Sequence, residues 1–205
     1  MFSTILKGGP VMYPIIFCSI LAFAIAIERF YYLYKAKINT VEFMNNLEIT
    51  IKRNRIVEAI KICDKTSGPI ARIIKAGVLK HDRSRQEIRE AIEDAGHQEV
   101  PRLEKHLSLM ATIAHVSPLL GLLGTVTGMV RTFQIIQEKS ASFNPVSPGD
   151  LAGGIWEALL TTVAGLIVAI PTVVVYNYLV NKVEEFVLDM ERSATDVINI
   201  LTQRA

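Results

Sequence analysis

Cysteine is scarce in this 205-residue chain. The two present, Cys18 in an apolar block and Cys63 in a charged one, do not make a disulfide framework. No glycine-rich loop of the phosphate-cradling kind occurs, so nucleotide hydrolysis has no support. No Cys/His cluster has metal-ligand spacing, and no metal or other cofactor is expected. An excess of one charge is missing too: 22 Lys and Arg against 20 Asp and Glu leave a net charge of +2. That balance argues against nucleic-acid binding and against an acidic tail. The sequence has no internal repeat and no low-complexity stretch.

What the sequence does have is segregation. Half of the residues are hydrophobic and a fifth are charged, with a mean hydropathy of +0.33. One globular core seldom shows that mixture; apolar blocks alternating with charged blocks do. Charge-free blocks cover 8–27 and 106–130, and a third covers 151–181 with Glu157 as its one interruption. A bilayer core of about 30 Å is crossed by about 20 apolar residues in helix. Backbone in lipid must satisfy its own hydrogen bonds, so each block reads as a helix. The fold class is therefore all-α, a polytopic membrane protein with three transmembrane helices and a helical cytoplasmic segment, its long helices running from the membrane into the cytoplasm.

Loop charges set the expected topology. Fifteen Lys and Arg residues fall from Lys35 to Lys105, one (Lys7) precedes the first block, and two (Arg131, Lys139) lie between the second and third. Basic residues stay in the cytoplasm. The expected organisation is a first span with an outside N-terminus over 1–34 and a cytoplasmic helical segment over 35–105. Spans two and three follow over 106–181, joined by an outer loop at 131–150, and a cytoplasmic C-terminal helix covers 182–205. Lys7 and Ala22-Phe23-Ala24 also fit a secretory signal peptide, but its cleavage would leave the basic segment exported. Tyr31, Tyr32 and Tyr34 fit an inner interfacial belt.

In the cytoplasmic segment Thr40 is placed to cap a helix carrying Phe43, Leu47, Ile51 and Ile60, which Thr66-Ser67-Gly68-Pro69 ends. Ile70, Ile73, Ile74 and Val78 mark a second, short helix. Ser84-Arg85-Gln86-Glu87 has capping-box spacing. From there one long helix, bent at Gly96 and Pro101, is expected to run into span two. Asn144-Pro145 and Ser147-Pro148-Gly149 make 131–150 a turn-rich connection.

The spans carry small and polar residues at helical spacing. Span two has Ser117, Gly121, Gly124, Thr125, Gly128 and Thr132; span three has Ala158, Thr161, Thr162, Gly165 and Ala169. Small residues three or four apart let helix backbones approach closely in lipid. The hydroxyls add a second reading, because each bonds its own helix or lines a wet path. Glu157, toward the outer end of span three, shares a face with Thr161 and Gly165. It either faces a bundle interior, is protonated, or sits on the first helical turns at the outer surface. Glu28 and Arg29 are expected to pair at the inner interface, and His115 to bond between packed helices. Pro118 and Pro171 are expected to kink their helices. No Asp lies within a span, so Glu157 or a partner must supply any group that changes protonation.

At this point residues 114–129 (AHVSPLLGLLGTVTGM) resemble the second span of the ExbB/TolQ/MotA proton-channel family. Residues 154–171 (GIWEALLTTVAGLIVAIP), followed by Tyr176-Asn177, resemble its third span, and Glu28-Arg29 fits its first. The resemblance covers all three spans in order; the cytoplasmic segment matches in length and helical character only. It implies a bacterial inner-membrane homo-oligomer, a pentamer, ringed around a dimer of single-span partners of the ExbD/TolR type. Protons are the coupling ion, and a TonB-like energiser passes work to the outer membrane. The family's pore-lining threonines fall on Thr125 and Thr162, its third-span glutamate on Glu157, and its proton-carrying aspartate on the partner.

Two departures stand out: Thr161 replaces an alanine beside the carboxylate, and Trp156 replaces a small residue. MotA-type members have a fourth span and a longer cytoplasmic segment, so flagellar torque is not expected. The short N-terminus favours ExbB over TolQ. The small residues are expected to pack neighbouring copies, while Thr125 and Thr162 face the partner. A scaffold without ion flow and a solute permease are the competing classes. The permease lacks the broken helix pairs and repeats such folds use.

Overall fold

The computed structural model describes residues 8–142 and 145–203 and is all helical there. Lys7 and Asn144, used above as a basic flank and a turn residue, lie outside the described residues. The helices are α1 (Met12–Ala36), α2 (Thr40–Lys52), α3 (Ile56–Lys65), α4 (Pro69–Leu79), α5 (Arg85–Leu103), α6 (Leu107–Ala141) and α7 (Pro148–Thr202). Three stretches, carried by α1, α6 and α7, are long and apolar enough to cross a membrane. The described chain forms two compact units, 8–27 with 106–177 and 28–105 with 178–203.

In the first unit the buried positions follow helical spacing. On α6 they are Leu107, Met110, Ile113, Ala114, Ser117, Gly121, Gly124, Gly128 and Thr132. On α7 they include Glu157, Ala158, Thr161, Ala169 and Thr172. The opposite faces expose Leu119, Leu122, Val126, Leu159, Val163 and Ile167, the side chains a lipid tail accepts. The 131–150 segment is helical as far as Ala141 and again from Pro148, so the turn-rich connection shrinks to 142–147. The Lys139 ammonium sits 2.5 Å from Asp150, tying the two helix ends together.

The second unit has an ordinary apolar core. Leu47 and Ile51 of α2, Ala59 of α3, and Ile70, Ile74 and Val78 of α4 are at most 1% exposed. Each of these Leu, Ile and Val side chains contributes roughly 1.5–3 kcal/mol when fully buried. The first cytoplasmic helix is two helices, α2 and α3, because Asn54 takes a left-handed φ of +62°. Asparagine tolerates that region better than most residues. The cap is Asn39 rather than Thr40: its side chain accepts from the Glu42 amide at 3.3 Å. At the next break Gly68 has φ +129° and Pro69 opens α4, the position where a missing N–H costs nothing. Ser84 caps α5 as expected, accepting from the Glu87 amide at 3.3 Å.

The single long helix into span two is broken. α5 ends at Leu103, His106 takes φ +64°, and α6 starts at Leu107. Pro101 lacks the N–H that would bond one turn back, and the helix stops within a turn of it. Arg29, 2% exposed, caps this end by donating to the Arg102 carbonyl at 3.1 Å. It also pairs with Glu28, as expected, and its guanidinium lies 4.8 Å over the Tyr32 ring. Glu99, 4% exposed, sits between Arg102 at 2.6 Å and Arg72 at 2.8 Å. Its Oε2, the atom facing Arg72, accepts no well-aimed hydrogen bond.

Candidate functional site

α6 and α7 meet through their small residues. A methyl group added at Gly121 would stand 3.0 Å from the Thr162 Cα, and one at Gly165 would stand 2.6 Å from the Ser117 carbonyl oxygen. At Gly124 it would lie 2.1 Å from the Thr161 hydroxyl, and at Gly128 2.7 Å from the Gly154 carbonyl oxygen. Position rises on one helix as it falls on the other, so the pair is antiparallel. At Gly121, Gly128 and Gly165 backbone approaches backbone, and at Gly124 the Thr161 side chain fills the space, so none leaves room for a methyl. The expected partner is thereby corrected: Gly121, Gly124, Gly128 and Gly165 pack within one chain, not against a neighbouring copy. A helical pattern identifies a face but not what covers it. Ala169, 3% exposed, continues the buried face of α7.

The hydroxyls on these helices mostly bond one turn back, the local route open to Ser and Thr. Ser117 donates to the Ile113 carbonyl, Thr132 to Gly128 and Thr172 to Val168. Thr161 is fully buried against Gly124 and donates to the Glu157 and Ala158 carbonyls at 3.0 and 2.9 Å. Thr125 donates to Leu122 at 2.6 Å and stays half-buried. Thr162 differs from the rest. Its half-buried hydroxyl is shared between the Gly121 carbonyl of α6 at 3.2 Å and its own helix's Ala158 carbonyl at 3.3 Å. His115 does not bridge helices: it is exposed on α6, and its Nδ1 lies 2.7 Å from its own helix's Ala111 carbonyl. Pro118 and Pro171 both lie inside continuous helices.

Glu157 takes the first of the three sequence readings. It is 7% exposed and faces the unit's interior. An unpaired charge in an apolar span costs about 2.5–3.5 kcal/mol on insertion scales, and here it is paired: Arg131 Nη1 donates to Glu157 Oε2 at 3.0 Å. The backbone of Gly9, at φ +67°, lies against the other carboxylate oxygen, where an added methyl would come within 1.7 Å of Oε1. Beside the pair opens a cleft of about 780 Å³ lined by Gly9, Arg131, Ile135, Gly153, Trp156 and Glu157 among others. Trp156 is 52% exposed there.

In the sequence Arg131 reads as a loop cation, and neither Gly9 nor Gly154 stands out. Gly154 had a readable signal, since it extends the small-residue spacing of Ala158, Thr161 and Gly165 by one turn. Gly9 had none, because its role depends on how the chain enters α1.

The arrangement defines a class: a three-span helical membrane protein whose second and third spans form a glycine-matched pair holding a buried, paired carboxylate and two half-buried threonines. Residues 65–192 match the family model described as MotA/TolQ/ExbB proton channel family. The chain belongs to that family of non-enzymatic membrane channels. It is 34% identical to a biopolymer transport protein ExbB-like of Synechocystis over 84% of this chain and 81% of the relative. It is 26% identical to the biopolymer transport protein ExbB of Neisseria meningitidis, over 97% of this chain and 96% of the relative. It is 29% identical to an ExbB homolog of Methanothermobacter thermautotrophicus over 90% of this chain, and spans 66% of that relative's length.

Proposed function

We propose that this chain is the ExbB-like subunit of a proton-driven motor in the bacterial inner membrane. Copies form a pentameric ring around a dimer of single-span ExbD/TolR-like partners, and a TonB-like energiser carries the work to the outer membrane. The N-terminus and the connection between α6 and α7 lie outside; the basic middle segment and the C-terminal end lie in the cytoplasm. Thr125 and Thr162 line the proton pathway with Glu157, while Thr161 backs the carboxylate from inside the helix pair. The observation that carries the reading is the family match over both threonine-bearing spans. It is supported by alignment with ExbB over nearly the whole chain.

The chemistry divides between chains. A threonine hydroxyl orders water but carries no charge at accessible pH. Glu157 already has a cation 3.0 Å away. A group that takes up and releases protons is therefore expected on the partner, with Glu157 as a supporting or gating carboxylate. Thr125→Val and Thr162→Val keep the branched side-chain shape and replace the hydroxyl with a methyl. Each is expected to abolish energised uptake in cells while the ring still assembles. Full uptake in both variants contradicts the reading.

A further inference from the structure

We infer that Arg131 is a positioning residue of this pathway: its guanidinium pins the Glu157 carboxylate at the outer cleft as a fixed counter-charge. The inference rests on the channel reading above and assigns a role to a residue which that reading does not use. Three observations carry it.

The first is placement. Arg131 lies on α6 one position before Thr132, and the helix runs unbroken through it to Ala141. Its side chain therefore comes from a rigid element rather than a loop, and it reaches across 26 residues of sequence to α7. The second is asymmetry. The Glu157 side chain is 9% exposed and that of Arg131 63%. The carboxylate is held in the packed interior, while the cation approaches it from the open cleft. The third is confinement. Arg131 holds one carboxylate oxygen, and the Gly9 backbone walls off the other. Among the described residues Arg131 is the one cation paired with Glu157. Glu157 is thus fixed on two sides, next to a cleft of about 780 Å³ that Ala152, Gly153 and Gly154 keep wide. The exposed guanidinium and the buried carboxylate thus make one fixed ion pair at the edge of that cleft.

The test is proton flux in liposomes holding the full chain with its single-span partner, at equal incorporation and verified ring assembly. Arg131→Gln leaves the buried Glu157 carboxylate without its cation and is expected to lower flux about tenfold or more. Arg131→Lys keeps a cation and is expected to retain most of the flux, a rescue that a purely steric role does not give. Glu157→Gln is expected to match Arg131→Gln, and the double variant to fall no further than the worse single one, because the two act as a unit. The double variant also keeps the test readable if Arg131→Gln alone assembles poorly, since it leaves no buried charge unpaired. A conducting wild type with Arg131→Gln equal to it, or losses that multiply in the double variant, overturns the inference alone. A silent wild type sinks the channel reading and this inference with it.

Discussion

Gly9 and Cys63 show how one position carries meaning only through its surroundings. Gly9 has φ +67°, and a methyl there meets the far end of a flexible side chain, Glu157 Oε1, at 1.7 Å. The added methyl would push the carboxylate off its place beside Arg131, so the damage falls on the site more than on the fold. Gly9→Ala is expected to cost about 1–2 kcal/mol in backbone strain and to lower transport as far as Glu157→Ala does, read by uptake at matched expression. Cys63 is 3% exposed, and burial, aided by the neighbouring Asp64 charge, pushes its thiol up to about 11. The thiolate is the reactive form. Maleimide labelling of Cys63 in the intact protein is therefore expected to be slow at pH 8 and to quicken as pH nears that value, measured by mass spectrometry. Neither property was legible in the sequence. A glycine beside an apolar block and a cysteine among charges look ordinary until the chain is folded. Glu157 was legible, because a carboxylate inside a 31-residue apolar block (151–181) has few bland explanations. Its partner was not, because a single arginine past the end of span two reads as a loop charge.

The helices themselves were read mostly from periodicity and charge. α1, α6 and α7 announce themselves as long uncharged blocks, and α4 as Ile70, Ile73, Ile74 and Val78 on one face. Breaks were harder. Gly68-Pro69 is a strong signal and was seen; the left-handed turns at Asn54 and His106 were not, since neither is glycine. α6 runs eleven residues past Val130, to Ala141, because Arg131 continues the helix where its charge suggests a loop. The small-residue faces were found, but their partner needed coordinates. That partner makes a sharp contrast between two glycines of α7. Gly165→Ala puts a methyl 2.6 Å from the Ser117 backbone oxygen, which has no freedom to yield, whereas Gly153 has no atom within 4 Å of the added methyl. Gly165→Ala is expected to destabilise the pair by about 1–3 kcal/mol, the usual cost of overpacking. Gly153→Ala is expected to be neutral or slightly stabilising, in thermal unfolding of the detergent-solubilised protein.

For the molecule as a whole, the proposed reading has this chain supply walls and water-ordering groups, and Glu157 within span three is paired with Arg131. On the proposed reading, with the path along Thr125, Thr162 and Glu157 and the proton carrier on the partner, conduction is expected to need the partner. A path divided between two chains, as proposed, would couple proton passage to their relative position. The central measurement is proton flux under a membrane potential in liposomes containing this chain, with and without its single-span partner. The account predicts flux only with the partner present, and its loss in Thr125→Val and Thr162→Val rings that assemble normally. Flux from this chain alone, or undiminished flux in both variants, contradicts it.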